Sequence, residues 1–370
     1  MSEARYRTAL LDWLACAAAG RDEPAARAAG AIGDRVASAG TAGHVLDFDD
    51  TYLPGIAHLS APTAPAALVV AAELGLDAGT ALDAYAAGFE AMGALARAGH
   101  PALYDRHWHP TALCGGVGAA VAAAALLGAP REDAIAIALL RASGLRAAFG
   151  SHGKSLQVGL AASSGVEAAR LAAAGARVPL GPAARGYEEA TGGAFAEPEP
   201  GRLAVAENWI KAWPCCLQTH GAIEAAAGIG ERAPERLSVT VHPVSLQAAA
   251  HGPEPKDGLE AKFSIPYLTA FTVLHGPPRV ESFDAVDAAV VERARRIEVR
   301  TDASLLESEF VLHDGGGEVA RVKAALGSPA NPMDADALRA KAERLGGPEL
   351  AGALDDLGRP AGELLALAEL

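Results

Sequence analysis

Residues 43–62 read GHVLDFDDTYLPGIAHLSAP and place three carboxylates, a threonine and two histidines in a chain otherwise rich in alanine. Asp47 and Thr51 are four residues apart, which would put them on one face of a helix. His58 follows a Pro-Gly turn that could fold it back over them. The same residue types also cap and turn the ends of apolar helices. The spacing therefore leaves a reactive cluster and ordinary capping equally open.

Composition limits the class of protein. A chain of 370 residues is typical of about two domains. With 51% hydrophobic and 21% charged residues, it can bury a large core. A net charge of -14 without a basic run excludes a nucleic-acid surface, but it leaves a small anionic substrate possible because local fields govern a pocket.

Location and cofactors can also be predicted. The N-terminus lacks the pattern of a signal peptide, and the apolar stretch 111–129 is broken by glycines, which favours a buried helix over a membrane span. The four cysteines form no CxxC pair and no spacing suited to zinc or an iron–sulfur cluster. We expect a cytoplasmic protein with reduced thiols, no metal, no cofactor and no membrane partner.

Long apolar runs opened or closed by Pro, Thr and Gly predict helices through the first 200 residues. Thr80 and Asp83 are placed as a capping box, and almost no segment alternates with a period of two. The predicted helices cover residues 9–20, 24–37, 65–75, 80–99, 111–128, 130–144 and 161–175.

Strand patterns appear after the EPEPGR segment near residue 198, with a triple glycine typical of a hairpin turn. Predicted strands lie in 237–244, 296–301 and 309–323, and predicted helices in 219–230, 264–274 and 285–295. The fold class is therefore mainly α. An all-helical domain built discontinuously from residues 1–205 and 334–370 carries a smaller α+β lid domain, residues 206–333.

Further candidate residues lie outside the first stretch. The segment YDRHWHPT contains His107 and His109, although a single loop histidine more often packs than reacts. Lys154 and Lys211 are isolated cations in apolar surroundings, where a lysine either extends to solvent or anchors an anion. Tyr267 of KFSIPY could equally be a core aromatic residue.

Taken in order, these motifs resemble the MmgE/PrpD family, which includes 2-methylcitrate dehydratase and cis-aconitate decarboxylase. The resemblance runs over nearly the whole chain and is specific at DFDDT, WPCCLQTH and KFSIPY. It implies a cofactor-independent lyase, usually a homodimer, acting on a small di- or tricarboxylate such as 2-methylcitrate or cis-aconitate.

Matching the family motifs residue by residue implies which side chains form the site. We expect Lys154 and Lys211 to bind substrate carboxylates and His109 or His58 to act as general acid or base, with Asp47 orienting a histidine or acting as a base itself. Asp49 and Asp50 are expected to be structural. Gln157 and Leu59 depart from the histidine and proline often found at these positions, which bears on substrate identity more than on reaction class. The implied catalytic residues are Asp47, Thr51, His58, His109 and Tyr267, and the implied substrate-binding residues are Lys154 and Lys211.

Three alternatives remain. DFDDT also fits the Asp-x-Asp-x-Thr pattern of Mg²⁺-dependent phosphatases, with Asp47 as nucleophile and Asp49 as general acid. That chemistry requires a buried strand ahead of the motif. An isomerase or epimerase of a small dicarboxylate would use the same proton abstraction, and a non-catalytic scaffold would only bind a carboxylate.

Overall fold

The chain divides into two units in the computed structural model, which describes residues 2–230, 234 and 236–370. The first unit is Met1–Ile210 with Asp334–Leu370, and the second is Lys211–Met333. The first boundary lies five residues beyond the predicted one. A short strand, Asn208–Trp209, belongs to the first unit because it pairs with Thr51–Tyr52.

Helices account for most of the described residues, which confirms the mainly α fold. In the first unit, the strand pair is the departure from an all-helical structure. The helices are α1 (Ser2–Gly20), α2 (Pro24–Gly30), α3 (Arg35–Val45), α4 (Ser60–Glu73), α5 (Ala78–Gly99), α6 (Ala102–Asp105), α7 (Pro110–Leu127), α8 (Arg131–Leu140), α9 (Gly153–Ala173), α10 (Leu180–Thr191), α11 (His220–Ile229), α12 (Pro243–Ala248), α13 (Gly258–Ala261), α14 (Ile265–His275), α15 (Ala288–Ala294), α16 (Ala335–Gly346), α17 (Pro348–Ala351) and α18 (Ala361–Leu367).

Capping differs from the sequence prediction at two helices. The predicted helix over 24–37 is broken, because Gly33 adopts a φ of 75° and Asp34 starts a new helix by accepting a bond from the Ala37 amide. The N-cap of α5 is Asp77, which accepts a bond from the Thr80 amide at 2.7 Å. The predicted capping box of Thr80 and Asp83 was therefore wrong.

The core of the first unit is formed around α7, which packs against α4, α5, α8 and α9. Alanine and glycine let these helices approach closely: a Cβ at Gly165 would collide with the carbonyl oxygen of Gly116. Among the described residues, α7 is the helix long and apolar enough to cross a membrane, but 78% of it is buried inside the fold. Such burial is typical of a core helix.

Helix α3 leads directly into the DFDDT segment, and the short strand β1 (Thr51–Tyr52) follows it. β1 pairs antiparallel with β2 (Asn208–Trp209), matching Thr51 with Trp209 and Tyr52 with Asn208. The phosphatase alternative requires a buried strand ahead of the motif. A helix occupies that position, so this alternative was wrong on structural grounds.

The second unit contains a four-stranded sheet in the order β4-β3-β5-β6. Its parallel pair, β3 and β4, is connected through α12–α15, whereas β5 and β6 form an antiparallel hairpin at the glycine-rich turn. Helix α11 packs against the hairpin, where Gly221 leaves space for the ring of Phe310. The strands are β3 (Leu237–Val241), β4 (Ile297–Thr301), β5 (Phe310–Asp314) and β6 (Gly317–Val322).

Candidate active site

Asp47 lies immediately beyond the C-terminal end of α3, in the left-handed backbone region with a φ of 55°. Its amide donates to the carbonyl oxygen of His44 at 3.1 Å, which closes the last turn of the helix. Glycine usually occupies this position, and aspartate is among the few other residues that tolerate it. The helix end therefore carries a carboxylate where helices that end in this way usually have a glycine.

The Asp47 carboxylate is buried and forms a close ion pair with Lys154. The Lys154 ammonium, near the start of α9, lies 2.5 Å from Asp47 Oδ1, and His58 Nε2 lies 3.8 Å from the same oxygen. The side chains of Asp47 and Lys154 are only 7% and 13% exposed. Three of the predicted site residues are thus brought together by a helix end, a loop and a helix start.

Asp49 contacts two histidines, one of which is the His58 that also lies near Asp47. His44 Nδ1 lies 2.9 Å and His58 Nδ1 lies 3.3 Å from Asp49 Oδ2. Burial raises the pKa of the Asp49 carboxyl, but His44 and His58 outweigh burial through charge and hydrogen bonds and hold that pKa well below its usual range. An ionised carboxylate can only accept hydrogen bonds, so it favours a proton on each Nδ1. His58 then presents Nε2 on its Asp47 side.

His109 is the residue before α7 and is almost fully buried. Its ring lies 6.1 Å from that of His44, in a stacked arrangement, and 4.9 Å from that of Phe149, edge to face. Burial, then His44, Lys154 and His58, hold the pKa of His109 well below its usual range, against an opposing effect of Asp47. His109 is therefore neutral at neutral pH.

Thr51, a predicted site residue, follows Asp50 in the chain, is buried, and is the first residue of β1. Within residues 2–230, 234 and 236–370, its hydroxyl oxygen has no hydrogen-bond partner. By contrast, the hydroxyl oxygen of Thr111, in the first turn of α7, accepts a hydrogen bond from the amide of His58 at 3.1 Å. A buried hydroxyl without a protein partner is a group that a ligand could satisfy.

Asp50 belongs to a separate hydrogen-bond network. It accepts bonds from the Ser60 amide and hydroxyl and from the Asn208 side chain, and Ser60 also contacts the Tyr85 hydroxyl. Burial, followed by the neighbouring Asp49 charge, raises the pKa of Asp50 to about 7. This network links the loop to α4 and α5 and supports the structural role expected for Asp50.

His44, Asp49 and His58 are also the described group best placed to hold a metal ion. Their donor atoms lie within 4.8 Å of one another. The two Nδ1 atoms, however, meet the same carboxylate oxygen at hydrogen-bond distances. A metal bound through these atoms would require both nitrogens to be unprotonated, whereas the 2.9 Å contact between His44 Nδ1 and Asp49 is a hydrogen bond that needs a proton on one of them.

Two predicted site residues belong to the second unit. Lys211 is its first residue and is 1% exposed. Tyr267 is fully buried in the first turn of α14, where its hydroxyl accepts a bond from the Asp287 amide at 3.0 Å. Ser264 caps the same helix by accepting a bond from the Tyr267 amide. Tyr267 thus has a structural contact alongside its predicted role.

Sequence reasoning missed three residues that contact this cluster. His44 was noted only as one of two histidines in the first stretch, and Lys341, whose ammonium donates to the carbonyl oxygen of Phe48 at 2.9 Å, was not singled out. Gln157 was noticed only as a departure from the family pattern, yet its Nε2 lies 2.6 Å from His109 Nδ1. His44 alone carried a usable signal, a histidine at the end of α3 five residues before Asp49.

Two family models and two curated proteins match this chain. The model of the MmgE/PrpD N-terminal domain matches residues 36–187, and that of the MmgE/PrpD C-terminal domain matches residues 213–355. A cis-aconitate decarboxylase from Homo sapiens is 29% identical over 300 residues, covering 73% of this chain and 60% of that protein. The Mus musculus protein of the same name is 29% identical over 279 residues, covering 66% and 55%. The matched part of the chain thus spans little more than half the length of these relatives.

Proposed function

This chain belongs to the MmgE/PrpD family, and on that premise we propose that it is a cofactor-independent lyase acting on a small di- or tricarboxylate. Its similarity to two proteins named cis-aconitate decarboxylase makes cis-aconitate the first substrate to test. Dehydration of a hydroxy acid such as 2-methylcitrate is the second reaction to test.

The observation that carries the proposal is the contact of Asp47 with Lys154 and His58 in one buried cluster. A lyase of this type breaks a bond next to a carboxylate and must stabilise the negative charge that develops on carbon. Fixed positive charge in a site of low polarity is usually the largest contribution to such stabilisation. Lys154 supplies that charge in the first unit, and we assign the same task to Lys211.

Proton transfer is assigned to His58. Asp49 holds the Nδ1 side of its ring, and the opposite nitrogen, Nε2, lies nearest Asp47. A carboxylate that orients one ring nitrogen leaves the other as the group that takes up or returns a proton. Asp47 orients Lys154 through their ion pair, and Thr51 and Tyr267 are assigned hydrogen bonds to the substrate.

The experiment is a panel of cis-aconitate, 2-methylcitrate, citrate and related hydroxy diacids, incubated with the purified protein in D₂O and followed by proton NMR. Loss of carbon dioxide or of water supports a lyase and separates its two forms. Deuterium incorporation with neither loss would instead identify an isomerase. Binding that raises the melting temperature without turnover would identify a carboxylate-binding scaffold, and either result would overturn the proposal.

The assembly and location remain predictions. We expect a homodimer in the cytoplasm that binds neither nucleic acid nor membrane. Size-exclusion chromatography with light scattering tests the first expectation.

A further inference from the structure

The amide of Gln157 is fixed in one orientation by the backbone of Leu145. Leu145 donates its N–H to Gln157 Oε1 at 3.0 Å, and Gln157 Nε2 donates to the Leu145 carbonyl oxygen at 3.2 Å. An amide oxygen only accepts and an amide nitrogen only donates. Exchanging the two atoms would set donor against donor and acceptor against acceptor, so the nitrogen position is defined.

The same nitrogen faces the ring of His109. Gln157 Nε2 lies 2.6 Å from His109 Nδ1, and since the amide nitrogen can only donate, Nδ1 must accept. We propose that Gln157 is a positioning residue that holds His109 as the tautomer protonated on Nε2. His109 is then a hydrogen-bond donor to the reacting group rather than its base.

The backbone makes this arrangement rigid. The His109 amide donates to the carbonyl oxygen of Gly144 at 3.1 Å, and Trp108 forms a β-bridge with Leu145. His109 and the Gln157 amide are therefore bonded to adjacent residues of one loop, Gly144 and Leu145. A small movement of that loop carries the ring and its partner together, which preserves the bond between them.

Burial and the neighbouring cations and histidines favour the neutral ring that the tautomer requires, and they outweigh the opposing charge of Asp47. His44 faces it from the end of α3, Lys154 from the start of α9, and His58 and Asp47 from the loop between α3 and α4; Phe149 is its apolar neighbour. A neutral imidazole cannot donate its remaining proton completely at ordinary pH. It can, however, stabilise developing negative charge through a hydrogen bond, as a histidine with a lowered pKa does.

This role in catalysis rests on the proposed lyase function, whereas the tautomer itself does not. It divides the work between two histidines: His58 exchanges the proton, and His109 donates a hydrogen bond to the charge left on the substrate. The division follows from their partners. A carboxylate, Asp49, holds Nδ1 of His58, and an amide N–H, that of Gln157, holds Nδ1 of His109.

The test is nitrogen NMR of the protein labelled with ¹⁵N-histidine, with the His109 ring assigned by its loss in His109→Ala. We expect the unprotonated nitrogen of this ring to be Nδ1 from pH 6 to pH 9. Gln157→Glu keeps the shape of the side chain. Once its carboxyl is ionised, both of its oxygens accept hydrogen bonds, so the His109 proton should move from Nε2 to Nδ1. Gln157→Met removes the bond without adding charge and should give a mixture of both tautomers.

Gln247→Glu is the matched control, because it makes the same change at an exposed position of the second unit and should leave the His109 signals in place. A wild-type ring protonated on Nδ1, or an unchanged ring in Gln157→Glu, would overturn the proposal. Because these spectra need no turnover, they remain decisive even if the protein proves inactive on every carboxylate tested.

Discussion

The Lys341 ammonium donates a hydrogen bond to the main-chain oxygen of Phe48 at 2.9 Å. Phe48 lies between Asp47 and Asp49, and its ring is 3.7 Å from the same ammonium. Lys341 also forms a buried ion pair with Asp12 at 2.6 Å. Helix α16, far along the chain, therefore fixes the backbone that separates the two carboxylates of the candidate site.

Lys341→Met should lower the free energy of unfolding by about 3–5 kcal/mol, because it leaves the Asp12 charge buried without this partner. The measurement is urea unfolding at neutral pH. Adding Asp12→Leu to this variant should restore most of the lost free energy of unfolding, since it removes the buried carboxylate that Lys341 would have paired with. Lys256→Met, at a residue whose side chain is 84% exposed, is the control and should change stability by less than about 0.5 kcal/mol. A Lys341→Met protein as stable as the wild type would contradict this account.

Substitutions at Asp47 separate its backbone role from its charge. Asp47→Gly and Asp47→Ala both remove the ion pair with Lys154, but only glycine accepts the φ of 55° without strain. The glycine variant should therefore be more stable than the alanine variant by about 1 kcal/mol. Asp47→Asn keeps the left-handed preference and removes the charge, so it should fold well and lose turnover. Equal unfolding energies for Gly and Ala would show that the backbone at this position is not strained.

The raised pKa of Asp50, about 7, predicts a specific pH dependence. Between the ordinary carboxyl pKa and 7, the folded protein holds a proton that the unfolded chain has lost. Stability should therefore fall with rising pH, by up to about 1.4 kcal/mol per unit, and level off above the folded pKa. Asp50→Asn has no such proton, so the difference between the two proteins should change from pH 5 to pH 8 in urea unfolding. Parallel curves would argue against a protonated Asp50.

Lys154→Met should lower turnover of an accepted carboxylate by about 100-fold or more, because it removes charge aimed at the developing anion. His109→Ala should cause a loss of similar size. Steady-state kinetics with circular dichroism to verify folding is the measurement, and Lys256→Met is again the control. Near-normal turnover in either folded variant would remove that residue from the proposed site.

Much of the helical unit could be predicted because burial leaves a direct pattern in the sequence. Helices α5 and α7 begin within two residues of the predicted positions, since apolar runs ending at Gly99 or Gly128 are unambiguous. Helix α9 was predicted to start at residue 161 but starts at Gly153. Its glycines suggested a loop, whereas Gly159 is needed where α9 packs on α3, because a Cβ there would meet the carbonyl oxygen of Ala37.

The contacts of the candidate site could be predicted only where residue type and position were both unusual. Lys154 stood out as an isolated charge in apolar surroundings and Asp47 as part of the acidic DFDDT motif, and they form an ion pair in the structure. Lys341 could not be recognised, because its contact lies 293 residues away in sequence and its helix carries other basic residues. The same holds for Gln157, whose significance depends on the orientation of an amide that no sequence pattern defines.

Asp49 and Asp50 are adjacent, buried aspartates that contact different groups, so the same substitution at each isolates the role of the histidine pair. Asp49→Asn removes the carboxylate that His44 and His58 share. Asp50→Asn changes the network of Ser60 and Asn208, which contains neither histidine. We expect Asp49→Asn to lower turnover by about 100-fold or more, with a changed pH profile, because His58 is no longer held with Nε2 unprotonated. Asp50→Asn should change turnover far less at the same pH. If both variants fold and lose activity equally, Asp49 acts only by packing, and the assignment of His58 as the proton-transferring group fails with it.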